Sequence, residues 1–97
     1  MNIAPLNIAI GEKRQEIRQP AEGPVSVRFA DPQPLEIRGE LVDVSPSGFR
    51  MAHANHSLQS GQMVEFSHSL AVGVARVMWN RIMDQRVETG FRIVTAK

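Results

Sequence analysis

The sequence contains no cysteine and no long apolar run. Without cysteine the chain can form neither a disulfide framework nor a thiolate metal site, which fits a reducing compartment. The first ten residues, MNIAPLNIAI, lack the basic start, the continuous apolar run and the small-residue cleavage pattern of a signal peptide. No segment approaches the roughly 18 apolar residues that a membrane-spanning helix needs. We therefore expect a cytoplasmic protein with no membrane partner.

An excess of one charge is also missing. Eleven basic and ten acidic residues give a net charge of +1, which argues against a protein that coats long nucleic acid by neutralising many phosphates. An anionic partner should therefore be small. Nine of the eleven basic residues are arginine, whose planar guanidinium binds phosphate oxygens or the O6/N7 edge of guanine through two parallel hydrogen bonds. This bias permits a nucleotide ligand without requiring one.

Motifs of catalysis and metal binding are absent as well. No Ser-His-Asp order, paired-carboxylate setting or Gly-rich phosphate loop stands out, so we expect no enzyme. His53, His56 and His68 are enough in number for a metal site, but HANH lies in a loop-like stretch, and we expect neither a metal nor a cofactor. The 42% apolar residues of this 97-residue chain fill one modest core. A binding site must therefore use the surface.

The apolar residues that are present recur with the period of β-strands. VSVRFA (25–30) alternates apolar and polar residues, and PLEIRGELVDV (34–44) continues the pattern with an interruption at Gly39. A glycine inside a strand pattern indicates a bulge or a close backbone approach. Further strand patterns occupy 49–53, 61–67, 70–82 and 86–94, and the turn sequences DPQP, SPSG, SLQSG and MDQ separate the strands.

Five or six short strands in so short a chain predict an all-β, antiparallel domain, and closure into a small barrel would remove its unpaired edges. The only place where a helix could begin is 11–18, and Pro20 would stop it. We assign residues 1–12 to an N-terminal tail and residues 13–97 to the barrel domain.

Two short stretches bear on function. RQEIR (14–18) places Arg14 and Arg18 four residues apart, directly after Lys13. Taken alone, this cluster is either solvated surface or a site that awaits an anion. DVSPSG (43–48) follows a strand directly, and taken alone it is a tight turn whose side chains cap backbone groups and whose glycine adopts a positive φ.

Taken together, R-x-x-x-R in an N-terminal loop and D-x-S-x-x-G at a strand end, 25 residues later, resemble the PilZ domain family. Gly61 before QMVEF, ARVMWNR (75–81) and ETGFRI (88–93) resemble later parts of the same family, so the resemblance covers about residues 12–95. It implies a six-stranded antiparallel β-barrel with a flexible N-terminal loop. Many family members continue into a C-terminal helix, which we expect to be short or absent here.

The resemblance also implies a ligand, cyclic di-GMP, a bacterial second messenger in which two guanines are carried on a cyclic diphosphate ring. By the family pattern, Arg14 and Arg18 clamp the phosphates and guanine edges, while Asp43, Ser45 and Gly48 receive the ligand on the barrel surface. These residue types suit the roles: aspartate accepts from guanine N1 and N2, a hydroxyl donates or accepts, and glycine leaves room for close approach.

Two further residues are candidates for ligand contact. Trp79, on the opposite strand face from Met78, is the ring available to stack on a guanine, although a rim or core position is an equal alternative. Lys13 is placed to add a phosphate contact or to affect whether one ligand or a stacked pair binds. The later arginines are expected to be mostly ordinary strand surface; they are Arg76, Arg81, Arg86 and Arg92.

We therefore predict a cyclic di-GMP receptor in which the ligand orders residues 11–20 against the turn at 43–48 and so changes the surface that a downstream effector protein recognises. The regulated process would be motility, exopolysaccharide export, pilus assembly or virulence. Two alternatives stay open: a PilZ-type adapter that binds protein and no nucleotide, and a small β-barrel that binds single-stranded nucleic acid, for which five aromatic residues and a near-zero charge are poor credentials. A barrel face left uncovered without a C-terminal helix would suit a partner or a homodimer.

Overall fold

The computed structural model describes residues 16–31 and 33–97. Within them the chain forms only β-strands: β1 (Gln19–Pro20), β2 (Pro24–Phe29), β3 (Leu35–Ser45), β4 (Gly48–His53), β5 (Met63–His68), β6 (Ala71–Met83) and β7 (Arg86–Ala96). Residues 16–18 are not helical, and the rest of the helix considered at 11–18 lies outside the described residues. The described part of the chain has no helix of the length and apolarity needed to cross a membrane.

The six longer strands close into an antiparallel barrel. Their order is β3, β2, β5, β6, β7 and β4, and β4 pairs again with β3 to complete the ring. The long β3 makes this closure possible, because its first half pairs with β2 and its second half with β4. The short β1 extends the β2 side and pairs with Val44 and Asp43 of β3. The prediction of an all-β, six-stranded antiparallel barrel is therefore confirmed.

The barrel core is built from the inward positions of these alternating strands. Phe49 stands at its centre, with its ring centroid 4.9 Å from that of Phe66 and 4.7 Å from that of Phe91. All three rings are almost fully buried, and aromatic pairs of this kind add about 0.5–1.5 kcal/mol beyond the area that they bury. The remaining buried apolar side chains of this cluster are Val25, Val27, Ile37, Leu41, Met51, Leu58, Val64, Ala75 and Val77.

Gly39 marks a close backbone approach and not a bulge. It pairs regularly with Val25, and a Cβ at this position would lie 2.2 Å from the carbonyl oxygen of Ala52. The bulge of β3 lies further along, where Leu41 pairs with Met51 but Asp43 pairs with Arg50. A glycine is thus required where two backbones crowd at the barrel corner, whereas the bulge uses ordinary residues.

Candidate functional site

A bulge in β3 turns Asp43 to the outside of the barrel. Without it, Asp43 would share the inward face of Leu41, because side chains two residues apart on a strand point the same way. The extra residue, Val42, shifts this phase, so that Asp43 pairs with the outward Arg50 and the next residue, Val44, packs on the core. Bulges commonly re-aim one side chain in this way.

The two motifs of the sequence meet at this carboxylate. Arg18 Nη1 donates a hydrogen bond of 3.0 Å to Asp43 Oδ1. The backbone of β1 sets up the contact, since Pro20 pairs with Asp43 and the N–H of Ala21 donates to the carbonyl of Val42. The side chain of Arg18 stays 40% exposed while that of Asp43 is 7% exposed. The guanidinium therefore covers the acid and still faces solvent.

Arg50 holds the same carboxylate from the other side. Its Nε donates to Asp43 Oδ2 at 2.7 Å, and its Nη2 donates to the same oxygen. These bonds to Asp43 raise the pKa of the Arg50 guanidinium above its ordinary value. A carboxylate this buried needs compensating partners. Arg50 supplies them on one oxygen, which leaves Oδ1 as the atom that Arg18 occupies.

The D-x-S-x-x-G turn connects β3 to β4 through Pro46 and Ser47. Gly48 does not adopt the positive φ expected of it; the positive-φ glycines among the described residues are Gly23 and Gly61. Gly48 is needed for space instead, because a Cβ there would lie 2.1 Å from the carbonyl oxygen of Phe91. The neighbouring strand thus fills the room that the motif glycine leaves.

Glu16 binds the outer side of this turn. Its Oε1 accepts a hydrogen bond from the N–H of Ser47 at 3.2 Å and from the Ser47 hydroxyl at 2.5 Å. The hydrogen bond from the Ser47 hydroxyl is the main cause that lowers the pKa of the Glu16 carboxyl, and Ser45 contributes to the same shift. The hydroxyl of Ser45 also makes a long contact of 3.5 Å with the carbonyl of Gly48.

A groove of about 710 Å³ opens beside the turn. A second bulge shapes it: Val77 pairs with Phe91, but Trp79 pairs with Gly90, so that Met78 has no partner on β7. Trp79 therefore leaves the inward face of Val77, and it lines the groove together with Met78. The expectation that Trp79 and Met78 lie on opposite strand faces is wrong, because the bulge breaks the alternation. The full lining is Glu16, Arg18, Ser47, Gly48, Met78, Trp79, Gly90, Phe91 and Arg92.

Positive charge continues along the groove wall. Arg92 lies on β7, where it pairs with Gly48 of β4 on one side and with Arg76 of β6 on the other. Both arginine side chains are exposed. Like charges directly opposite each other on a sheet repel, and among the described residues neither forms an ion pair. Arg81, in contrast, is neutralised by Glu88 at 3.0 Å. Arg92 therefore adds a cation to the groove, whereas Arg81 is surface.

One of the three histidines, His53, belongs to a hydrogen-bond network of the fold. His53 ends β4 and is buried; the N–H of Asn55 donates to its Nδ1, so its Nε2 carries the proton and donates to the Thr89 hydroxyl at 2.7 Å. Thr89 in turn donates to Asn80, which donates to the carbonyl of Leu58. No group of three or more metal-ligating side chains occurs within residues 16–31 and 33–97.

The structure gathers most of the candidate residues at one corner of the barrel. Arg18, Gly48 and Trp79 line the groove, Asp43 lies behind Arg18, and Ser45 lies within the turn. Lys13 and Arg14 lie outside the described residues. Sequence reasoning missed the contributions of Glu16, Ser47, Arg50 and Gly90. Ser47 lies inside the motif, but its partner is 31 residues away, and no local pattern signals such a contact.

Comparison with known proteins places this geometry in context. No curated protein matches the sequence. Among solved structures, the inhibitor of motility MotI/DgrA of Bacillus subtilis is 18% identical with a TM-score of 0.73 over 89% of this chain and 44% of that one. The YcgR protein of Escherichia coli, solved in complex with c-di-GMP, is 21% identical with a TM-score of 0.65 over 86% of this chain and 38% of that one.

The chain thus spans less than half of each of these two proteins, and at such identities the likeness shows the fold. The family model described as PilZ domain matches residues 12–96, close to the 13–97 assigned to the barrel domain. This chain belongs to the PilZ domain family.

Proposed function

We propose that this protein is a cyclic di-GMP receptor that binds its ligand in the groove beside the D-x-S-x-x-G turn and thereby changes the surface offered to an effector protein. The observation that carries the proposal is the Arg18–Asp43 bond, which joins the two motifs at the rim of a cationic groove. Membership of the PilZ family supports the choice of ligand.

Different residues of the groove can contact different parts of the ligand. Arg18 and Arg92 are cations exposed to the groove, and guanidinium groups bind phosphate in two-point contacts. Trp79 is half-buried and presents the indole as a stacking surface for a guanine. Asp43 is the acceptor for guanine N1 and N2 donors, and Arg50 keeps this carboxylate in place.

Binding then requires an exchange of partners at Asp43. In the structure Oδ1 accepts from Arg18, so the guanine reaches that oxygen when Arg18 turns towards a phosphate. Residues 16–20 already lie against the turn through Arg18, Glu16 and β1. The ordering step predicted for residues 11–20 stays a prediction, since 11–15 lie outside the described residues. Within 16–20 we expect the Arg18 side chain to change partners on binding.

The energies favour an exchange of this size. Micromolar affinity requires about 8 kcal/mol, and a hydrogen bond to a charged group contributes roughly 1.5–3 kcal/mol. Stacking on an aromatic ring adds about 1–3 kcal/mol per base. Two arginines, one carboxylate and the indole leave about 4–9 kcal/mol after the loss of the Arg18–Asp43 bond, so micromolar affinity requires contacts near the upper end of these values.

Calorimetric titration tests the proposal. The protein should bind cyclic di-GMP, and it should bind cyclic di-AMP far more weakly, because adenine lacks the N1 and N2 donors that Asp43 accepts. Arg18→Ala should weaken cyclic di-GMP binding by at least about tenfold, the loss of one charged hydrogen bond. Arg38→Ala is the matched control, since Arg38 pairs with Glu36 at 3.5 Å, is 81% exposed and does not line the groove.

The absence of any heat with cyclic di-GMP would overturn the proposal. Equal affinity for the two cyclic dinucleotides would show that Asp43 does not bind the guanine. A short single-stranded oligonucleotide belongs in the same series, and we expect no saturable binding to it because the described surface combines one cationic groove with a net charge near zero.

A further inference from the structure

Glu16 occupies two hydrogen-bond donors of Ser47, a turn residue that lines the groove. The backbone N–H and the hydroxyl of Ser47 converge on one oxygen of this carboxylate, at 3.2 and 2.5 Å. Glu16 and Ser47 both line the groove, beside Arg18. The turn therefore already holds an anionic oxygen at the place where an anionic ligand would arrive.

Stability of the fold does not explain this contact. Glu16 is exposed, and polar contacts at exposed positions contribute little to folding. Its pKa is lowered chiefly by the Ser47 hydroxyl, so the carboxyl is ionised at neutral pH. A charge is thus held in a groove whose other charged members, Arg18 and Arg92, are cations.

We propose that Glu16 is an internal substitute for a ligand phosphate: it occupies the Ser47 donors in the free protein, and the ligand must displace it to bind. Ser47, which lies between the motif positions Ser45 and Gly48, then donates its N–H and hydroxyl to a phosphate oxygen. This inference rests on the proposed function for the identity of the ligand, but the anion site itself is tested separately.

Displacement follows from charge as well as from geometry. Cyclic di-GMP carries two phosphate charges, and a carboxylate left in the same groove would be a third negative charge within a few ångströms. Arg18 belongs to the same exchange, because it lies two residues from Glu16 and is released from Asp43 when the ligand binds. The side chains of Glu16 and Arg18 would thus change partners together, and the Arg18 guanidinium would turn to the ligand.

Glu16→Gln distinguishes a carboxylate that competes with the ligand from one that helps to bind it, because the affinity for cyclic di-GMP should rise in the first case and fall in the second. Glu16→Gln keeps the size and the acceptor but removes the charge, and it should tighten cyclic di-GMP binding by about three- to fivefold, the scale of an exposed charge interaction. If Glu16 instead helped to hold the ligand, the same change would weaken binding. Glu36→Gln is the matched control, because Glu36 is an equally exposed carboxylate that accepts from a serine hydroxyl, Ser26, at 2.5 Å, outside the groove.

The role of Ser47 as a phosphate donor is tested in the Glu16→Gln background, where the competing carboxylate is absent. Glu16→Gln with Ser47→Ala should bind cyclic di-GMP more weakly than Glu16→Gln alone, since a donor to the phosphate is lost. Thermal unfolding of each variant checks that the fold is intact. Equal binding by the two variants, or weaker binding by Glu16→Gln than by the natural protein, would overturn the inference.

A titration with inorganic pyrophosphate decides the matter without the nucleotide. The NMR signal of the Ser47 amide should shift at lower pyrophosphate concentration in Glu16→Gln than in the natural protein, while Glu36→Gln should match the natural protein. An unchanged midpoint in Glu16→Gln would overturn the inference. If neither protein binds cyclic di-GMP but the pyrophosphate midpoint moves as expected, the anion site stands and the proposed ligand is wrong.

Discussion

The indole of Trp79 lies directly over the backbone of Gly90, so closely that a Cβ on Gly90 would come within 2.3 Å of the ring. The two residues are paired across β6 and β7, immediately after the bulge at Met78. The bulge turns the indole outward, and the missing side chain on β7 lets it lie flat at the floor of the groove.

Gly90→Ala should therefore displace the indole. We expect a loss of about 1–3 kcal/mol in the free energy of unfolding, the usual cost of overpacking, measured by urea denaturation. The matched test is the same change in a Trp79→Ala background, where the added methyl group meets no ring and should cost much less. An equal cost in both backgrounds would show that the indole does not determine the need for glycine.

Trp79 should also report ligand binding. Trp79→Ala should weaken the affinity for cyclic di-GMP by the worth of one stacked base, about 1–3 kcal/mol, and in the natural protein the fluorescence of this single tryptophan should change on titration. Ile82→Ala is the control, because Ile82 is 63% exposed on the same strand and does not line the groove. Unchanged affinity in Trp79→Ala would show that the indole belongs to the rim of the barrel and does not contact the ligand.

Thr89 connects two polar side chains inside the barrel wall. It is fully buried and links His53 to Asn80 through hydrogen bonds of 2.7 and 2.6 Å. Thr89→Val should lower the free energy of unfolding by about 1–3 kcal/mol, because the buried Nε2 donor of His53 loses its partner. Thr89→Ser keeps the hydroxyl and should cost less; a larger cost for serine than for valine would contradict the role of this network.

Stability should fall in mildly acidic solution. Burial lowers the pKa of His53 and of His68 below the ordinary value of 6.5, so the unfolded chain binds more protons as the pH drops below 6.5. The free energy of unfolding should thus be at its full value above that pH and decrease below it. Urea denaturation between pH 7.5 and 5.5 measures this change.

His68→Gln should make that dependence shallower, since it removes one of the two rings whose pKa burial lowers; the His68 ring packs against Phe49 with 4.8 Å between centroids. A free energy of unfolding that is flat across the whole interval would contradict the burial argument. The Glu16 and Glu36 carboxyls, whose pKa values are lowered by hydrogen bonds from serine hydroxyls, stay ionised throughout this interval.

The sequence predicted those parts of the fold that follow from local periodicity. The alternation in VSVRFA and the turn signals SPSG and MDQ correspond to strands and two-residue hairpins at the expected places. The bulges at Val42 and Met78 were beyond such reasoning, because each lies in a run whose alternation looks regular, and the pairing strand determines where the extra residue falls. Both bulges matter for the site, since they turn Asp43 and Trp79 outward.

Contacts between residues far apart in the sequence could not be predicted either. The motifs predicted that Arg18 and Asp43 belong together, but the partners of Glu16 and His53 lie 31 and 36 residues away. The strand pattern at 49–53 already included His53, but no local pattern indicated its hydrogen bond to Thr89. The family pattern predicted the site residues but not the contact of Glu16 with Ser47.

An NMR titration of the isotopically labelled protein with cyclic di-GMP tests the central claim most directly. The account predicts amide shifts concentrated at residues 16–20, 43–48, 78–79 and 90–92, which surround the groove between the Arg18–Asp43 bond and the indole. Shifts centred instead on the loop at 54–62, or no shifts at saturating ligand, would contradict it.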